Sequence, residues 1–251
     1  MTAYVTTPDG VRIAYEAAGE GPPILLVHGF ASDRVQNWRG PGWYDALTGA
    51  GYRVVALDWR GHGESDKLYD PAMYAHDVMA RDAIAVMDAV GIETCVVMGY
   101  SMGGYLGMRL LMEHSARVSK LIIGGVGETY FGPAQFARDE IVRALEVPDK
   151  VAITDPVGRA FRAFAEQGGK DLKALAACMR ADRKIFMAAQ LAYASQPVLV
   201  VCGEADELTG SPGPLAAAFP NGRAVTIARR DHMTTVGDKL YKQAVLEFLS
   251  K

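Results

Sequence analysis

Only three of the 251 residues are cysteine. Cys95, Cys178 and Cys202 fall in none of the spacings that mark a metal site or a disulfide framework. An odd number cannot pair fully within one chain. Cys95 and Cys202 lie in apolar, strand-like runs, so both are expected as buried free thiols. That usage points to a reducing compartment, with the cytoplasm as the expectation. No apolar run approaches the ~20 residues that span a bilayer. Residues 1–10 have neither a basic start nor an apolar stretch of the signal-peptide kind. Charge of one sign is scarce as well. With 26 Lys and Arg against 29 Asp and Glu the net charge is −3, and there is no polybasic run. The chain is therefore expected to bind neither nucleic acid nor an anionic membrane. No internal repeat and no low-complexity segment occur, and nothing in the sequence marks an oligomeric state.

What is present is an ordinary globular composition, half apolar and 22% charged. A chain of this length can bury a large α/β core without a metal or disulfide staple. Tyr4–Thr6 and Val11–Glu16 flank Pro8-Asp9-Gly10, a turn signal, and read as a hairpin. Apolar runs at Ile24–Val27, Arg53–Leu57, Cys95–Met98, Lys120–Gly124 and Val198–Cys202 read as buried parallel strands, with a weaker one at Ala224–Ala228. Helical stretches at Tyr74–Val90, Met102–Glu113, Leu215–Phe219 and Leu240–Leu249 alternate with them. That alternation predicts a parallel sheet covered on both faces. From Gly127 to Ser195 no strand is evident. About 70 residues is too long for a simple crossover, so this stretch is expected to be a helical insertion, 127–195, folding over one end of the sheet within a single domain, 1–251.

The strongest chemical signal is Gly99-Tyr100-Ser101-Met102-Gly103-Gly104. It follows the run Cys95–Met98 and precedes a helical segment, which is the context a nucleophile elbow requires. The glycines have a steric reason, because a strained strand-to-helix turn leaves no room for side chains beside it. The turn also places Ser101 at a helix start, where free N–H groups favour negative charge.

Four more motifs accompany it: Val27-His28-Gly29-Phe30, Asp58-Trp59-Arg60-Gly61-His62-Gly63-Glu64-Ser65, Gly203-Glu204-Ala205-Asp206 and Asp231-His232. Together, and in this order along nearly the whole chain, they resemble the α/β-hydrolase family. The resemblance implies a mostly parallel eight-stranded sheet, its second strand antiparallel, with helices on both faces and a variable helical cap. It implies an acyl-transfer chemistry with Ser101, Asp206 and His232 as catalytic triad. The backbone N–H groups of Phe30 and Met102 would form the oxyanion hole.

The roles also follow from chemistry. A serine hydroxyl needs a base within hydrogen-bond reach. Of five histidines, His232 follows the last strand at the sheet's C-terminal end, where the elbow also points. His28 and His62 lie in glycine-rich turns and are expected to be structural. His76 and His114 are expected on solvated helix faces. The base needs an acid on its other ring nitrogen. Asp206 stands just past Val198–Cys202, with Glu128 as its serious rival. The Asp58–Ser65 stretch is expected to be a structural loop rather than an anion site. Trp38, Trp43, Tyr100, Tyr130 and Phe131 are the candidates for the substrate pocket. Phe161, Phe164, Met179, Phe186 and Met187 are expected to give an apolar lid.

The expected activity is hydrolysis of carboxylic esters of small to medium apolar acids through an acyl-enzyme. The expected partner is a small-molecule ester, and no cofactor or metal is implied. The same triad serves lactonases, carbon–carbon bond hydrolases and thioesterases. The Ser-Met-Gly-Gly elbow is similar to that of cofactor-free perhydrolases, and some receptors of this fold only bind ligand. Epoxide hydrolases and haloalkane dehalogenases place aspartate where Ser101 stands.

Overall fold

A computed structural model describes residues 1–132 and 135–251, and at 135–137 the backbone alone. Eight strands form one sheet: β1 (Ala3–Thr6), β2 (Arg12–Ala18), β3 (Pro23–Val27), β4 (Arg53–Leu57), β5 (Cys95–Tyr100), β6 (Val118–Gly124), β7 (Val198–Gly203) and β8 (Gly222–Ile227). Their spatial order is β1-β2-β4-β3-β5-β6-β7-β8. β2 is antiparallel to both its neighbours, and every pairing from β4 to β8 is parallel. The expected mostly parallel eight-stranded sheet with one antiparallel second strand is what forms.

The continuous apolar runs of the central strands have a simple cause. Successive side chains in a strand point to opposite faces, and here both faces are buried. Leu25, Val27, Val97, Leu121, Ile123 and Val200 belong to one core. Ile24, Leu26, Val96, Met98, Ile122 and Val201 belong to the other. The first core is covered by α2 (His76–Ala89) and α3 (Met102–Glu113), through Met79, Ala83, Leu106 and Leu110. A short α8 (Gly213–Ala217) adds Leu215 to the same side. The second core is covered by α1 (Trp43–Gly49) and α9 (Lys239–Leu249), through Trp43, Leu47, Tyr241 and Val245.

Between β6 and β7 the chain is helical: α4 (Gln135–Glu146), α5 (Pro156–Gln167), α6 (Leu172–Arg180) and α7 (Ala188–Leu191). Asp155 caps α5 by accepting from Gly158 N–H at 2.7 Å, and Asp171 caps α6 by accepting from Ala174 N–H at 3.0 Å. These helices make the cap region of the fold. Residues 133–134 of the expected insertion lie outside the described residues.

The one helix expected over Tyr74–Val90 is split. Pro71–Tyr74 forms a 3₁₀ turn and the α-helix starts at His76. His76 is correspondingly not on a solvated face. It is 4% exposed, and its ring lies 6.4 Å from that of Tyr105 on α3.

The Asp58–Ser65 loop is a structural tie, as expected. Asp58 accepts from the N–H groups of Arg34 and Glu64, each at 2.8 Å, and also pairs with the Arg34 guanidinium. Arg60 reaches under the loop to α2, its Nε and Nη2 donating to Asp82 at 2.7 and 2.6 Å. Burial raises the Asp82 carboxyl to about 6 while the Arg60 guanidinium pulls it down, so it is ionised at neutral pH. Removing one partner of a buried pair leaves the other charge uncompensated, which typically costs about 3–5 kcal/mol. Asp9 also contacts Arg60, at 2.9 Å, and shares some of the load. Asp82→Ala is therefore expected to lower the unfolding free energy by about 3 kcal/mol in urea titration, and a loss under about 0.5 kcal/mol would show that the pair contributes nothing.

Candidate active site

The site is assembled where β3, β5, β7 and β8 end. Ser101 sits between β5 and α3 with φ 52° and ψ −118°, a left-handed conformation that costs a non-glycine residue on the order of 1–3 kcal/mol. Its neighbours explain how the chain reaches it. A Cβ on Gly99 would stand 2.1 Å from the Gly103 carbonyl oxygen, and one on Gly103 would stand 2.1 Å from that of Val27. No side chain fits at either position. The Ser101 N–H donates to the Gly124 carbonyl at 2.8 Å, which pins the turn to β6.

The His28 ring locks the neighbouring turn. Its Nε2 accepts from the Trp59 backbone N–H at 3.0 Å, so the ring proton is on Nδ1, which donates to the Gly29 carbonyl at 2.7 Å. The Trp59 indole N–H returns a bond to the His28 carbonyl at 3.1 Å. The turn after β3 is thus tied to the loop after β4. Phe30 N–H in that turn, and Met102 N–H at the start of α3, donate to no acceptor among the described residues. They are free donors, one beside the serine in sequence and one beside Gly29, whose added Cβ would stand 3.3 Å from Ser101 Cβ.

His232, on the loop after β8, is held at two points. Its Nδ1–H donates to Asp206 Oδ2 at 2.8 Å, and its carbonyl accepts from the Tyr100 hydroxyl at 2.6 Å. The Asp206 side chain is fully buried, and its other oxygen accepts from the N–H groups of Leu208 and Thr209 at 3.1 and 3.2 Å. Glu128, the rival acid, is exposed on the turn after β6, against Gly210. With Nδ1 protonated toward Asp206, Nε2 of His232 is a free base. Ser101 and His232 border the same cavity without a direct hydrogen bond, as is common in unliganded sites, where such bonds tighten when substrate binds.

That cavity measures about 600 Å³ and its wall is mainly apolar. Phe30, Tyr100, Leu208, Met233 and Val236 come from the strand ends, and Ala160, Phe161 and Phe164 from α5. The rings of Phe30 and Phe161 stand 6.0 Å apart. Arg230 and Asp238 form an ion pair on the wall, Nε to Oδ2 at 2.5 Å. Among the described residues no group of three or more His, Cys, Asp or Glu gathers to hold a metal, and no helix is long and apolar enough to cross a membrane.

Several expected pocket residues lie elsewhere. Trp38 is fully buried in the second core, edge-on to Trp43 at 6.1 Å, because the π-turn Val35–Arg39 aims it away from the cavity. Trp43 is core as well, its indole donating to the Val236 carbonyl at 2.7 Å. Tyr130 is buried 5.2 Å from Tyr105, and its hydroxyl accepts from Phe186 N–H at 2.8 Å. Phe131 packs edge-on against Tyr130 near the surface. The 3₁₀ turn Glu128–Phe131 sets Tyr130 against α3 and the chain after α6, and neither ring lines the cavity. Met102 does not line the cavity, its sulfur lying 3.9 Å from Cys178 Sγ in the core. Of the expected lid, Phe161 and Phe164 reach the cavity, while Met179 is core, Phe186 lies under the Arg109 guanidinium and Met187 is exposed. Sequence reasoning missed Gln36, Asn37, Leu208, Met233 and Val236 on the wall. They stand in loops and single short turns, where no periodic pattern marks which side chain faces inward.

The alpha/beta hydrolase fold family matches residues 22–152, and the chain belongs to that family. Over 125 residues it is 37% identical to epoxide hydrolase 4 of Mus musculus, covering 48% of this chain and 33% of that relative. The chain spans between 20% and 44% of the length of such curated relatives. Among solved structures, a hydrolase from Pseudomonas aeruginosa PA01 is similar at 26% identity with a TM-score of 0.83, covering 100% of this chain and 98% of that one. The esterase EaEST from Exiguobacterium antarcticum shares the fold at 20% identity, with a TM-score of 0.81 and complete coverage of both chains.

Burial keeps three histidines neutral. It lowers His28, and lowers His62 and His76 well below the ordinary value of 6.5. His28 adds to the effect on His62, and the guanidinium groups of Arg183, Arg109 and Arg138 add to that on His76. A group whose pKa is depressed on folding binds its proton more readily in the unfolded chain, so its contribution is complete above pH 6.5 and is lost as pH falls below that value. Each unit of depression is worth about 1.4 kcal/mol. Urea midpoints are expected to hold above about pH 7 and to fall as the pH drops through 6.5 toward 5, and midpoints that stay level from pH 7 to pH 5 would contradict the neutral assignment.

Proposed function

We propose that this chain is a serine hydrolase that cleaves carboxylic esters of small to medium, mainly apolar acids through an acyl-enzyme. The observation that carries the reading is the Asp206–His232 bond of 2.8 Å beside an elbow serine at φ 52° on the same cavity. Ser101 Oγ attacks the ester carbonyl as its proton passes to His232 Nε2. The negative charge that develops on the carbonyl oxygen is met by the Phe30 and Met102 N–H groups, each such donor being worth a few kcal/mol. Collapse of the tetrahedral species breaks the bond to the alcohol, which leaves with the proton from His232. Water then enters and attacks the acyl carbonyl as His232 takes its proton, and collapse breaks the bond to Ser101 Oγ, which regains its proton from His232 as the acid leaves. Asp206 holds the ring in the reactive tautomer and offsets the imidazolium charge.

A serine at the elbow disfavours the reaction named for the mouse relative. A serine oxygen opening an epoxide would make an ether, which water does not cleave. An acyl ester on serine is hydrolysed readily. The apolar wall supports an uncharged acyl chain, and region 127–195 would act as the cap that shapes it, with Phe161 and Phe164 against the substrate. The three buried free thiols favour a cytoplasmic setting.

The reading is tested with p-nitrophenyl acetate and butyrate. Ser101→Ala is expected to lower kcat/KM at least ~10³-fold, while circular dichroism stays native. Equal rates for the variant and the parent protein would end the ester reading. His232→Ala is expected to lower kcat/KM by a similar factor, because the serine is then left without a base. A His232→Ala variant as active as the parent protein would remove His232 from this role.

A further inference from the structure

Among the described residues Arg230 is the one lysine or arginine on the cavity wall. Its Nε donates to Asp238 Oδ2 at 2.5 Å, and its Nη1 and Nη2 donate to no acceptor among the described residues. The side chain is 48% exposed, so these nitrogens are open to a ligand instead of sealed in the core. Asp238 fixes the guanidinium in place. The Asp238 side chain is itself buried, and its Oδ1 caps α9 by accepting from Leu240 N–H at 2.7 Å. Both of its oxygens therefore already have donors. Asp231, next to Arg230 in sequence, accepts from the Met233 and Thr234 N–H groups at 3.1 and 2.8 Å and is not on the wall. An otherwise apolar cavity thus carries one anchored guanidinium with a free fork of N–H groups. That fork is the geometry that receives a carboxylate through two parallel hydrogen bonds, and a few placed polar groups of this kind are what orient a ligand.

The same loop decides which part of a substrate would meet the fork. Between Arg230 and Asp238 most of the chain after β8 is cavity wall, His232 included. In acyl transfer the leaving oxygen takes its proton from the base, so the alcohol portion of an ester lies along the His232 loop. We propose that Arg230 is a specificity-determining residue that binds a carboxylate on the alcohol portion of the substrate. The substrate class is then acyl esters of hydroxy acids, the acyl chain remaining small to medium and mainly apolar. The inference rests on the ester-hydrolase reading and refines its alcohol half.

The test compares 3-carboxyphenyl acetate with 3-carbamoylphenyl acetate, which differ by a carboxylate in place of a neutral amide of the same shape. Each kcat/KM is divided by the rate of hydroxide hydrolysis of the same ester, which removes intrinsic reactivity. The parent protein is expected to prefer the carboxylate about fivefold, the size of a charge pair that water still reaches. Arg230→Gln is expected to bring the ratio to about one. Arg230→Lys keeps the charge but not the fork, and is expected to fall between the two. In the parent protein, where no variant has to fold, the preference is expected to shrink at least about twofold between about 0.05 and about 0.5 M sodium chloride, because a half-exposed pair is screened. A ratio near one in the parent protein, a preference that survives Arg230→Gln, or one that salt leaves unchanged would overturn the assignment while leaving the ester reading intact. Absence of Ser101-dependent turnover of both esters would overturn both.

Discussion

The structure depends on one close approach of backbone to backbone. Gly103, in the first turn of α3, lies against the Val27 carbonyl at the end of β3, and Gly99 lies against Gly103. Only hydrogen fits in the space between them. That contact allows α3 to start within one residue of β5, which forces Ser101 into positive φ and lifts its side chain off the sheet. The strain is retained because the surroundings over-determine it. The Ser101 N–H is bonded to β6, and the helix that follows is buried along Leu106, Met108 and Leu110.

The other parts of the site are brought to the elbow by polar ties between loops. His28 bonds the turn after β3 to the loop after β4. Asp58, at the head of that loop, gathers Arg34 and Glu64 N–H groups. Tyr100 and Asp206 hold His232 from two sides. These groups are buried, and in such surroundings a satisfied hydrogen bond is strong and an orphan is costly. The site is therefore rigid around the serine. The wall formed by α5 and the loops after β7 and β8 is apolar and irregular, so it constrains shape more than charge.

The strands were legible because parallel strands buried on both faces have no polar positions to interrupt them. Ile24–Val27, Arg53–Leu57 and Val198–Cys202 differ from the observed strands by one residue at most. The weak edge strand was misplaced by two residues at its start, because β8 is exposed along most of its length and carries no strong pattern. The places of Ser101, Asp206 and His232 just past strand ends were legible because the strands before them were, and because the glycines beside Ser101 have a steric cause. Trp38, Tyr130 and Phe131 were not, since an aromatic ring in a loop fits a core as well as a pocket. His76 was mistaken for a surface residue because a 3₁₀ turn, invisible in the helical pattern, rotates the start of α2 inward.

By itself the sequence determined the order of elements, the tight turn at Ser101, and that Asp206 and His232 follow the seventh and eighth strands. These follow from local rules: the two-residue period of strands, the lack of space beside a tight turn, and the chemistry a hydroxyl needs. Tertiary structure alone decided which side chains wall the cavity, and that His28, His62 and His76 are buried neutral. Such properties are set by atoms far apart along the chain that meet only after folding. Burial and the direction in which an irregular loop points its side chains carry no periodic mark to be read beforehand.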